Sequence, residues 1–211
     1  MKKVLMILIA SMTIISCSPQ TSKVTGEDIK TSESYRIKGD AKLKLKDYTG
    51  AVIDFDMAIE YNPQDSAAYR GSGWAQYALG NLHYAISAYN KLIEIDPQRS
   101  DAYRNRGMAT AELGNHLEAI ADYSRAIEIN PQDILAYYSR GYSRYQLEQL
   151  KECITDNSKI IELDPKYVDA YFIRGLAELQ SNQKDSGCND LHKALELGHE
   201  NADKAINKFC N

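Results

Sequence analysis

"DAYRNRGMATAELGNHLEAIADYSRAIEINPQ", Asp101 to Gln132, is the stretch that decides how this chain folds. From Ala102 to Ile129 apolar residues recur at helical spacing, and "ELGNHLEA" (Glu112–Ala119) interrupts them with a Gly-Asn turn signal. That pattern predicts two antiparallel helices. Gly107 has no side chain, so the second helix can approach closely, and the small Ala119 faces it from that helix. Tyr103 and Tyr123 fill the space that remains. "INPQD" (Ile129–Asp133) ends the second helix, because proline cannot continue it and restricts the residue before it.

The same pattern returns along the chain. Tyr35, Tyr69, Tyr103, Tyr137 and Tyr171 stand 34 residues apart, and four residues after each comes a glycine: Gly39, Gly73, Gly107, Gly141 and Gly175. Pro63, Pro97, Pro131 and Pro165 keep the register. Ala51, Ala85 and Ala119 form another column, and Phe55, Tyr89 and Tyr123 a third. These columns draw on an unusual aromatic composition, fifteen Tyr against three Phe and one Trp. A fixed 34-residue period with aromatic–Gly–Ala–aromatic–Pro columns resembles the tetratricopeptide repeat. The resemblance implies an all-α solenoid of five helix-turn-helix units, at 32–65, 66–99, 100–133, 134–167 and 168–201. One helix pair cannot bury its apolar face alone, so stacking supplies the core. The fifth unit departs from the pattern, with Gly187 in the alanine column, Leu191 in the aromatic column and His199 in place of proline. The chain is therefore expected to enter a capping helix, from about Glu200 to Cys210, which carries it through 202–211.

The N-terminus reads as an address. Lys2 and Lys3 precede the uncharged apolar run Val4–Ile15, which is long enough for a signal-peptide core and too short to span a bilayer as a helix. Ile14, Ile15, Ser16 and Cys17 resemble the lipobox of bacterial lipoprotein signal peptides. The resemblance implies removal of residues 1–16 and acylation of Cys17, with lipid chains contributing about 0.8 kcal/mol per buried methylene. Ser18, rather than aspartate, implies sorting to the outer membrane, facing the periplasm. Ser18–Thr31 reads as a flexible polar tether, completing a segment 17–31 between lipid and solenoid.

Charge and motifs narrow the function. The formal charge is −4 for the whole chain; cleavage before Cys17 would leave 23 basic against 29 acidic side chains, a charge of −6. Such a balance argues against nucleic acid as a partner, because phosphate binding needs a concentrated basic surface. No phosphate loop, nucleophile elbow or paired-histidine motif occurs, so neither catalysis nor a cofactor is expected. His83, His116, His192 and His199 are scattered, and Cys153 sits in the alanine column as a small buried side chain. Cys188 and Cys210 come level in two antiparallel helices; a disulfide, two free buried thiols, or a metal site with His192 all satisfy that placement.

In the tetratricopeptide family the first helices of successive units line a concave groove that binds peptides or partner helices. Carried onto this chain, the groove columns are Arg36, Arg70, Arg104, Tyr138 and Phe172; then Asp40, Trp74, Met108, Tyr142 and Leu176; then Leu43, Tyr77, Ala111, Tyr145 and Leu179. One reading is an arginine ridge for carboxylates followed by an aromatic bed, with Arg70 and Trp74 as a cation–π pair. The other is that Arg36 pairs with Asp40 and the tyrosines pad the interior. Arg106, Arg140 and Arg174 are expected to pack their stems and send their heads to solvent or an acid. The expected function is a membrane-anchored adaptor or scaffold for a protein or peptide partner. The alternative is a structural subunit of an envelope assembly, or a self-associating protein, using the convex face or the cap.

Overall fold

The structure, a computed structural model, describes residues 24–210, so Cys17 and the leader before it lie outside the described residues. The helices are α1 (Gly26–Lys44), α2 (Tyr48–Tyr61), α3 (Ser66–Ala78), α4 (Leu82–Ile95), α5 (Ser100–Glu112), α6 (His116–Ile129), α7 (Ile134–Gln146), α8 (Leu150–Leu163), α9 (Val168–Gln180), α10 (Lys184–Glu196) and α11 (Ala202–Phe209). Each odd helix packs against the even helix that follows it, and each even helix against the next odd one. The odd helices also touch one another, α1 with α3, α3 with α5, α5 with α7 and α7 with α9. The array therefore curls with its odd helices on the inner face.

The repeat columns explain the packing. A Cβ added at Gly107 would lie 2.8 Å from the Tyr123 ring, a contact that no real side chain makes, so the glycine is what admits the buried aromatic. In the fifth unit Leu191 replaces that aromatic, and Gly187 lets α10 come closer still: a Cβ there would meet the Gly175 carbonyl oxygen at 2.7 Å. Phe55, Tyr89, Tyr123, Ile160 and Leu191 are all 2% exposed or less, one to each helix pair. Full burial of a side chain such as Phe55 contributes about 2 kcal/mol. Cys153 is fully buried in α8.

The two ends differ from the middle. Gly26–Thr31, expected to belong to the tether, is the first part of α1. The Asp28 carboxylate accepts from the Thr25 amide at 2.8 Å, and Thr25 Oγ1 accepts from the Asp28 amide at 3.2 Å. This reciprocal cap satisfies orphan amides and sets the helix start before Ser32. At the other end α11 lays Ala205 and Ile206 on Leu191, with Phe172, Leu176 and Leu179 around them. Among the described residues no helix is long and apolar enough to cross a membrane.

Candidate binding groove

The three columns expected to line a groove lie on the odd helices, and their arginines differ in what they meet. Aspartates at the starts of α3 and α7 cap those helices: Asp65 Oδ1 accepts from the amides of Ala67 and Ala68, and Asp133 Oδ1 from that of Ala136. The other oxygen of each acid faces the arginine 29 residues earlier. Arg104 Nη1 donates to Asp133 at 2.5 Å, and Arg36 lies 3.8 Å from Asp65 while also pairing with Asp40 (3.4 Å) and Glu33 (3.6 Å). Two members of the expected ridge are thus held by acids, because the column 29 residues on supplies a carboxylate. Tyr138 meets Tyr167 in the same relation, with ring centroids 5.7 Å apart. Phe172 stacks on His199 at 3.8 Å and packs on both the Cys153–Ile173 cluster and the C-terminal cap.

Arg70 breaks the rule. The residue 29 positions on is Arg99, which turns to Asp101 at 2.8 Å. Among the described residues no carboxylate lies within ion-pair distance of Arg70, and its side chain is exposed. It lines a cleft of about 270 Å³ with Asp40, Leu43, Trp74, Asp101 and Asn105, drawn from α1, α3 and α5. The expected Arg70–Trp74 cation–π pair is not among the ring–cation contacts of the described residues. The indole of Trp74 instead stacks on Tyr77 one turn along, at 5.8 Å and 20°, and stays 44% exposed.

Further along the groove Tyr142 is also exposed, while Tyr145 accepts a 2.6 Å hydrogen bond from Gln180. Burial, with Asp169 nearby, pushes the Tyr138 phenol up to about 12, and burial raises Tyr77 and Tyr145 as well. These phenols stay neutral and serve as hydrogen-bonding apolar surface. The groove therefore runs from one uncompensated guanidinium, past a stacked indole–phenol pair, to a bed of neutral tyrosines.

Models of known families match this chain twice, as a tetratricopeptide repeat over residues 38–100 and as a TPR repeat over 109–148. The crystal structure of MamA protein superposes with a TM-score of 0.75 at 25% identity, covering 82% of this chain and 95% of that one. The chain has the fold of a tetratricopeptide-repeat (TPR) solenoid. YrrB, described as a TPR protein with an unusual peptide-binding site, superposes at 0.74 with 21% identity, over 86% of this chain and 95% of its own. PilF of Pseudomonas aeruginosa superposes at 0.72 with 14% identity, over 83% and 80%. No curated protein matches the sequence.

Beside the groove, the TPR solenoid carries a ladder that the repeat columns alone did not reveal. Arg106, Arg140 and Arg174 do send their heads to acids. Each guanidinium donates two bonds to an aspartate 16 residues later: Arg106 to Asp122 (2.8 and 2.6 Å), Arg140 to Asp156 (3.0 and 2.7 Å) and Arg174 to Asp190 (2.6 and 2.9 Å). Its remaining Nη donates to a residue 16 earlier, in the preceding unit: Asn90 (2.7 Å), Ser124 (3.0 Å) and Ser158 (3.0 Å). Each rung also lies over a repeat tyrosine, Tyr103, Tyr137 or Tyr171, at 5.5–5.8 Å. The signal was present in the sequence as Asp122, Asp156 and Asp190 at the 34-residue period.

The late cysteines are resolved as a bridge. Cys188 in α10 and Cys210 at the end of α11 form a disulfide with Cα atoms 5.8 Å apart. The bridge takes up both thiols that a metal site with His192 would need, and His192 Nδ1 lies 2.7 Å from the Cys188 carbonyl oxygen. Among the described residues no group of three or more His, Cys, Asp or Glu side chains could hold a metal ion.

Proposed function

We propose that this TPR protein is a lipid-anchored adaptor of the bacterial cell envelope, facing the periplasm from the outer membrane. Its inner groove would hold an extended segment of a partner protein. The observation that carries the binding reading is Arg70. Where the first and third units place Asp65 and Asp133, the second unit has Arg99, and Arg70 is left with an unneutralised charge beside an exposed Trp74. A partner carboxylate within reach of Arg70, with an apolar side chain against the Trp74–Tyr77 stack, uses both features. The peptide-binding site in YrrB's description supports a groove of this kind.

The anchor rests on the lipobox-like Ile14–Cys17. Affinity capture from the native envelope with wild type, Trp74→Ala and Tyr142→Ala tests the groove. Both variants should keep the wild-type melting temperature and lose the partner; unchanged capture by both removes the groove from the account. Labelling with a clickable fatty acid tests the anchor, and label that persists in Cys17→Ala would refute acylation there.

A second reading has one observation in its favour. Tyr145, Leu176, Leu179 and the exposed Phe209 frame a mostly apolar cleft of about 250 Å³ where α11 meets α7 and α9. Self-association through this cap would appear as a concentration-dependent mass in sedimentation, abolished by Phe209→Ser.

A further inference from the structure

The ladder changes at the second unit, and a cavity takes the place of its guanidinium. Tyr69 is retained, but Ser72 stands in the arginine column and Ala88 in the aspartate column. The acid appears on the other side instead: Asp56, 16 residues before Ser72, occupies the position held by Asn90, Ser124 and Ser158 at the complete rungs. Ser72 Oγ reaches Asp56 Oδ1 only at 3.5 Å, and among the described residues no cation pairs with that carboxylate. Between α2, α3 and α4 this leaves a cavity of about 300 Å³ lined by Asp56, Tyr69, Ser72, Gln76, Tyr84 and Lys91. It shares no residue with the Arg70–Trp74 cleft.

We propose that this cavity is a binding site for a guanidinium group supplied from outside the chain. The protein's own rungs are the template. At the third unit the Tyr103 ring is flanked by two cations, Arg106 at 5.6 Å and Arg125 at 6.0 Å, so one ring tolerates both. Lys91 holds the place of Arg125 in the second unit, and each of the two is tied to a glutamate, Lys91 to Glu94 at 2.7 Å and Arg125 to Glu128 at 2.9 Å. The place of Arg106 is the cavity. A guanidinium entering it would lie against Tyr69, donate to the Asp56 carboxylate from the side that Asn90, Ser124 and Ser158 hold at the complete rungs, and meet the Ser72 hydroxyl and the Gln76 amide. The planar fork matches a carboxylate beside an aromatic face, which a lysine ammonium does not. The two sources of such a group are an arginine side chain of a partner protein and a free alkylguanidine.

Titration calorimetry of the full-length protein in detergent micelles tests the site with three probes. These are acetyl-Gly-Arg-Gly-amide, its citrulline counterpart and ethylguanidine. The arginine peptide and ethylguanidine are expected to bind and the citrulline peptide is not. Asp56→Asn should weaken binding by about tenfold or more. Ser72→Arg with Ala88→Asp, which supplies the missing rung from within, should abolish binding and raise the melting temperature. A peptide that binds tighter than ethylguanidine identifies a partner's arginine as the source, whereas equal affinity identifies the free compound. Binding indistinguishable from that of the citrulline peptide, or unaffected by either variant, overturns the proposal.

Discussion

Asp156→Asn is expected to destabilise the solenoid by about 3–5 kcal/mol, the usual cost of stranding a buried charge. The Asp156 side chain is 2% exposed and accepts three charge-assisted bonds, two from Arg140 and one from Arg144 at 2.6 Å. Asparagine keeps the shape and one acceptor but removes the negative charge between two guanidinium groups that are themselves 14% and 18% exposed. Those arginines stand one turn apart on α7, so their repulsion then goes uncompensated. Asp122 is the internal control. It serves one arginine, and that arginine is 26% exposed, so solvent screens the loss and Asp122→Asn should cost only about 2 kcal/mol. Urea unfolding followed by circular dichroism gives the totals. Hydrogen exchange places the loss in α7 and α8, since a repeat array can open in parts. Adding Arg140→Met to Asp156→Asn should recover part of the deficit by removing one stranded charge. The reasoning fails if Asp156→Asn costs no more than Asp122→Asn, or if both stay within about 0.5 kcal/mol of wild type.

Other consequences are equally open to measurement. The Cys188–Cys210 bridge spans 22 residues, and its loss in Cys210→Ser should cost about 3 kcal/mol; wild type melting identically with and without reductant would contradict this. Burial pushes the Cys153 thiol up to about 12, so thiol reagents should leave it unlabelled in the native protein at neutral pH and label it fully in denaturant. Labelling of the folded form would show that α8 is not packed as described. Burial also holds the Glu178 carboxyl above its ordinary 4.5, against a hydrogen bond from Ser186. The native state then binds more protons than the unfolded one, so the ionised group opposes folding at neutral pH and the penalty disappears in acid below that ordinary value. Glu178→Gln should accordingly raise the urea midpoint at neutral pH and leave it unchanged in acid. An unchanged midpoint at neutral pH would sink that account.

The helices were legible because each repeat column encodes one packing relation within a single unit. Gly107 and Tyr123 are read together in one period, and proline marks where the second helix stops. Relations between the two ends of a unit were harder to see. Arg36 looked like half of a pair with Asp40, and that contact exists, but Asp65, the last residue of the same unit, is the acid that also caps α3. The link joins two different columns, so no single column displays it, although comparing residues 29 apart would have exposed both Arg104–Asp133 and the exception at Arg70 and Arg99. The beginning of α1 was missed for another reason. The Thr25–Asp28 cap is a local signal lying ahead of the repeat register, and the register was what defined the unit. The cysteine pairing could be placed by spacing but not decided, because two helices of the right length bring the thiols level whether or not they bond.

The ladder has a mechanical consequence. From the third unit onward each rung arginine, Arg106, Arg140 and Arg174, clamps three helices, and the last turn is closed covalently by Cys188 and Cys210. At the second unit the corresponding contact is a single long hydroxyl–carboxylate bond. Tension applied along the array would find its weakest seam there, so α1 and α2 should peel away first and the C-terminal end last. The molecule is a spring of graded stiffness, compliant at the end from which its N-terminal segment departs and rigid at the other.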